Sequence, residues 1–75
     1  MLVPPSKVPS GPPQQLVPLE AQIACVRREI SMRERVYPRW VAERKLTLKT
    51  ADNELAAMHA VLATLERVQA AERLL

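Results

Sequence analysis

Few side chains in this chain could do chemistry, and they do not form a reactive set. Cys25 is the only cysteine and His59 the only histidine, so a nucleophilic thiol would depend on a single base far along the chain. The same two residues fall short of the four ligands that a structural zinc site uses. Gly11, the only glycine, stands among prolines, which excludes a glycine-rich phosphate loop. We therefore expect no enzymatic activity, no cofactor and no metal.

The carboxylates are better explained by structure than by catalysis. Glu29, Glu34 and Glu43 are interleaved with arginines, which is typical of a solvated helix face. We interpret Cys25 as a small apolar packing residue, and His59 as a residue that flanks the contact between helices.

The elements that position these residues begin only after a proline-rich start. Six of the seven prolines lie in the first 18 residues. Each proline lacks an amide donor and fixes φ, so this stretch cannot sustain a helix or a strand. We predict a flexible tail over residues 1–17. Pro9 and Pro12 have the spacing of a polyproline ligand, but Lys7 is at the wrong distance for the basic residue that such a ligand carries, which favours a plain tail.

From residue 18 onward, apolar residues recur in steps of three and four, which is the pattern of amphipathic helices. The first series comprises Leu19, Ile23, Val26, Ile30, Tyr37 and Trp40, and it is interrupted between Ile30 and Tyr37, where Arg33 takes the apolar position. The second series comprises Leu48, Ala51, Leu55, Met58, Leu62, Leu65 and Val68. We predict helix 1 over about residues 18–45, with Pro18 at its first position and a kink at Pro38; the alternative is that two helices meet at Pro38. We predict helix 2 over about residues 48–74, with Thr47 as its N-cap and Thr50 as the alternative cap.

Because only about two residues link these helices, the chain from 18 to 75 is predicted to be an all-α, antiparallel hairpin of two long helices. A second apolar row lies beside each series, formed by Cys25, Met32 and Val36 on helix 1 and by Val61, Val68 and Leu75 on helix 2. A hairpin alone leaves such rows in water. We therefore expect a homodimer that forms a four-helix bundle, or packing against another protein. The candidate partner-binding residues are Met32, Arg35, Val36, Tyr37, Arg39, Trp40, Val61 and Val68.

Charge is unevenly distributed along the chain. Residues 18–49 carry eight basic and four acidic side chains, whereas residues 50–75 carry two basic and four acidic ones. A basic helix with aromatic residues could bind nucleic acid, and the candidate residues for that alternative are Arg27, Arg28, Arg35, Arg39 and Lys45. The competing interpretation, which we favour, is that the basic helix complements the acidic one. No apolar run is long enough to span a membrane and no signal peptide is evident, so we expect a cytoplasmic protein; a membrane-surface helix is the third hypothesis.

The sequence MRERVYPRWV at residues 32–41, together with residues 28–31 before it and AMHAVLATL at residues 57–65, resembles a family of short uncharacterised proteins encoded by tailed phages and prophages. In that family the turn between the helices often contains a glycine where this chain has Glu43 or Arg44. The resemblance implies no catalytic residues. It implies an accessory protein of the bacterial host cytoplasm that binds a host or phage protein, for example as an inhibitor of a host defence or regulatory factor.

Overall fold

The computed structural model describes residues 16–74, which fold into two α-helices: α1 (Leu19–Ala42) and α2 (Leu48–Arg73). The helices pack against each other and run antiparallel, joined by residues 43–47. The predicted all-α helical hairpin is therefore confirmed. Leu75 and most of the predicted tail, residues 1–15, lie outside the described residues.

The first helix begins one residue later than predicted. Pro18 is its N-cap and not its first helical residue, because Pro18 has an extended backbone conformation (φ −56°, ψ 145°). Its carbonyl accepts the amides of Ala21 and Gln22 at 3.0 and 3.1 Å. The Gln22 side chain donates to the carbonyl of Val17 at 2.9 Å, which holds the residues before the helix against its first turn. Glu20 adds a negative charge in the first turn, where the helix dipole favours it.

A single helix runs through Pro38, so the alternative that two helices meet there is wrong. Proline removes the amide that would bond to the carbonyl of Glu34, and the helix continues for four further residues beyond it. Packing of the apolar residues on both sides of Pro38 against α2 offsets this loss, because tertiary contacts contribute more to helix stability than intrinsic propensity does.

The first helix ends at Ala42, about one turn before the predicted end near residue 45. Arg44 adopts a left-handed conformation with φ 63°, and the amides of Arg44 and Lys45 bond back to the carbonyls of Val41 and Trp40. This is the hydrogen-bond pattern of a Schellman motif, in which glycine is the usual left-handed residue. The positive charges at residues 44 and 45 therefore belong to the turn and not to the last turn of the helix.

Thr47 is the N-cap of α2, as predicted. Its hydroxyl oxygen accepts the amide of Thr50 at 3.0 Å, and its carbonyl accepts the amide of Ala51 at 2.9 Å. Because α1 ends early, the link between the helices is longer than the predicted two residues.

Four side chains are buried among the described residues: Ile23, Ile30, Tyr37 and Ala51. The three from α1 are spaced seven residues apart, and the larger apolar residues of α2 that face them, including Leu55 and Leu62, are only half-buried. Most residues of the two apolar series are thus confirmed to lie between the helices. Trp40, Leu48 and Val68, however, were placed in those series, and they are 39%, 64% and 44% exposed, so the row between the helices is shorter than the sequence pattern indicated.

Candidate functional site

One side of the hairpin carries two polar contacts between the helices, of which the first is a salt bridge. Arg27 on α1 contacts Glu66 on α2 at 2.6 Å, and Glu34 on α1 lies 3.5 Å from the Nε2 atom of His59 on α2. Moving seven residues forward on α1, from Arg27 to Glu34, corresponds to moving seven residues back on α2, from Glu66 to His59. These contacts therefore define both the antiparallel register and one face of the hairpin, which we call the ion-paired face.

The opposite side carries the second apolar row. Successive residues in a helix are about 100° apart, which places Cys25, Met32, Val36 and Trp40 on the side of α1 away from Arg27 and Glu34. The same geometry places Val61 and Val68 on the side of α2 away from His59 and Glu66. A shallow groove lined by Cys25, Val26, Val61 and Leu65 shows that the two rows meet on one surface. We call the surface formed by Cys25, Met32, Val36, Trp40, Val61 and Val68 the apolar face.

The apolar face is partly open to solvent. Val61 is 47% exposed, Cys25 is also exposed, and Met32 and Val36 are half-buried. The Trp40 ring lies 5.8 Å from the ring of Tyr37, so one aromatic residue of the pair is in the core and the other extends it to the surface. Tyr37, a candidate partner-contact residue, is buried between the helices.

A local ion pair lies within the apolar face, because Arg33 and Glu29 fall between Val26 and Val36 around α1. Arg33 contacts Glu29 one turn earlier at 2.7 Å, and the side chain of Arg33 is only 28% exposed. The neighbouring Tyr37 side chain and the negative charge of Glu29 raise the pKa of the Arg33 guanidinium above its ordinary value. The arginine that interrupts the apolar series of α1 is therefore neutralised within its own helix.

The candidate nucleic-acid residues do not all remain available. Arg27 is engaged with Glu66, and Lys45 contacts Glu43 at 3.2 Å. The other three, Arg28, Arg35 and Arg39, are exposed and form no salt bridge with the described residues. They follow the outer side of α1, next to Met32, and we call them the arginine edge.

A second groove, which the sequence did not reveal, opens on the ion-paired face near the turn. It has a volume of about 250 Å³ and is lined mostly by apolar residues from both helices, namely Tyr37, Pro38, Val41, Leu48, Ala51 and Leu55, with Glu34 and Asp52 at its rim. The groove exists because proline and alanine are small at the point where the helices separate towards the turn. Only the pairing of residues far apart in sequence brings these side chains together.

The potentially reactive residues are not brought together. Cys25 lies beside Val61 and Leu65 on the apolar face, whereas His59 points to the ion-paired face. Within residues 16–74, no cluster of three or more His, Cys, Asp or Glu side chains could hold a metal ion. Neither of the two helices in this part of the chain is long and apolar enough to cross a membrane.

Comparison of the chain with protein-family models, with curated proteins and with solved structures finds no match. The resemblance to short phage proteins therefore stays a prediction that rests on the residues quoted for it.

Proposed function

We propose that this chain is a small non-enzymatic accessory protein of the phage type, which acts by binding another protein. The observation that carries this proposal is the difference between the two faces of the hairpin. Polar contacts between the helices lie on one face, while the other exposes valine, cysteine and tryptophan side chains within residues 16–74. Several exposed apolar residues on one side of a protein are characteristic of protein-binding surfaces.

The setting that we propose is the cytoplasm of a bacterial host, and the target is a host or phage protein. Binding to a host defence or regulatory factor would block that factor without any chemistry. A scaffold of two helices suits this role, because a rigid helical surface loses little conformational entropy when it binds.

Affinity capture from a bacterial host lysate tests the proposal. The bait is the full chain, compared with Val61→Glu/Val68→Glu, which places charge on the apolar face. The control is Ala63→Glu/Ala70→Glu, which adds the same charge to exposed positions on the other side of α2 with the same spacing. We expect the wild type and the control to retain the same host protein, and the apolar-face variant to lose it. Recovery of nothing except copies of the bait would refute the proposal.

The second candidate function is nucleic-acid binding through the arginine edge, because three exposed arginines on one side of a helix can contact successive phosphates. It predicts retention on DNA that weakens steeply with salt concentration. Charge reversal by Arg35→Glu/Arg39→Glu should abolish that retention, and retention that is unchanged in this variant would exclude the arginine edge.

A further inference from the structure

Within residues 16–74 the hairpin buries little of its own apolar surface. Three of the four buried side chains come from α1, and the only one from α2 is Ala51. Leu55, Met58, Leu62 and Leu65 of α2 are all half-buried. Domains of this size bury a small fraction of their surface and usually need a disulfide, a metal or a partner chain. A single cysteine excludes an internal disulfide, and no metal site is present among residues 16–74.

From this we infer that the apolar face is covered by a second copy of the chain, with α1 of one copy lying over α2 of the other. The inference rests on the proposed function, because it names the protein that occupies the apolar face. The resulting assembly is a four-helix bundle with a two-fold axis parallel to the helices, in which every neighbouring pair of helices is antiparallel.

One whole side of the hairpin, polar residues included, is large enough to form a stable dimer. Helices of 24 and 26 residues are each about 36–39 Å long, and two side by side are about 20 Å wide. Face-to-face contact of two such surfaces covers roughly 700 Å² on each copy, or about 1,400 Å² in total, which is within the range of stable protein interfaces.

The charges favour a second copy and select its orientation. In α1, five basic residues outnumber three acidic ones, whereas in α2 four acidic residues outnumber three basic ones. Packing α1 over α1 would bring the arginine edges of both copies together, which like-charge repulsion opposes. Packing α1 over α2 separates the two arginine edges and places each beside a helix of opposite net charge. A different partner would have to provide this same order of apolar rows and charges.

The arrangement leaves the ion-paired face and the groove near the turn uncovered. The target of the proposed function would then meet the dimer on a surface other than the apolar face. Loss of the target in Val61→Glu/Val68→Glu would follow from loss of the dimer, so the mass of each variant is measured together with its capture of the target.

The register of the hairpin indicates where the two copies should touch. Val36 lies two residues after Glu34, and Ala57 lies two residues before His59, so the Glu34–His59 contact places Val36 and Ala57 at the same height along the bundle. The side chains of Val36 and Ala57 both point out of the apolar face, so within one hairpin they do not face each other. In the proposed dimer Val36 of one copy and Ala57 of the other face each other, at a distance suited to a disulfide between cysteines.

The experiment combines mass with cross-linking of the full chain. Light scattering behind size exclusion should give twice the chain mass of 8.4 kDa for the wild type. Val61→Glu/Val68→Glu should give the single mass, and Ala63→Glu/Ala70→Glu should keep the double mass. In a Cys25→Ser background, Val36→Cys/Ala57→Cys should form a covalent dimer under mild oxidation, and Val36→Cys alone should not.

A wild type of single mass would overturn the inference. So would cross-linking by Val36→Cys alone, because it places α1 over α1. Circular dichroism shows whether the apolar-face variant remains helical, and the cysteine variants keep the test decisive if that variant unfolds. A monomer that still captures a host protein through the apolar face would overturn only this inference. A cross-linked dimer that captures nothing would instead overturn the proposed function.

Discussion

Replacing Ile30 with alanine should cost a large part of the stability of the hairpin. Ile30 is 5% exposed and lies in the middle of the buried row of α1. The change removes three carbon atoms, worth about 2.4 kcal/mol of transfer free energy at roughly 0.8 kcal/mol each. The residual cavity adds to this value, so we expect a loss of about 2–4 kcal/mol. In a domain of this size that loss should lower the Tm by roughly 10–25 °C.

The matched control is Leu48→Ala, which removes the same number of carbon atoms from a residue that is 64% exposed. Its expected effect is within about 0.5 kcal/mol. Thermal unfolding of both variants is followed by circular dichroism at one fixed protein concentration, because association makes the Tm depend on concentration. Equal losses in the two variants would refute the burial argument and would mean that the helices pair through a different row.

Four further substitutions test local features by the same thermal assay. Thr47→Ala removes the N-cap of α2 and should cost about 1 kcal/mol, whereas an unchanged Tm would show that the cap is dispensable. Arg44→Gly should raise stability by about 0.5–1 kcal/mol, because glycine adopts the left-handed conformation without the steric cost that arginine incurs. Pro38→Ala should also raise the Tm by restoring an amide donor, and a lower Tm would mean that the proline ring is required for packing. Leu62→Asp should unfold the hairpin, at a cost of several kcal/mol, because it places a charge between the helices; a helical spectrum in this variant would contradict that placement.

Most of the secondary structure could be predicted from short-range patterns in the sequence. The proline cluster, the three-and-four spacing of the apolar residues and the hydroxyl of Thr47 specify two helices and the start of the second, because these signals act within a few residues. The end of α1 was predicted too late. Arg44 is a poor candidate for a left-handed residue by type, and its conformation follows from the requirement that the chain reverse direction after Ala42.

The candidate surface was predicted only in outline. The second apolar row was visible as a spacing pattern, and its members on α1 and α2 do lie on one side of the hairpin. Tyr37, Trp40 and Val68 were each placed both in the series between the helices and among the candidate partner-binding residues. The structure buries Tyr37 and leaves Trp40 and Val68 partly exposed, because the position of one helix against the other decides which of two neighbouring rows is covered.

The sequence by itself determined that the chain forms two amphipathic helices with more apolar surface than one hairpin can bury, since amphipathicity depends only on residue spacing. The tertiary structure alone decided how that surface is distributed. Arg27 meets Glu66 and Glu34 meets His59 across large separations in sequence, and these contacts lie on one face and leave Val61 and Val68 on the other. The physical reason is that the rotation and register of paired helices are set by contacts between residues distant in the chain, which no local pattern encodes.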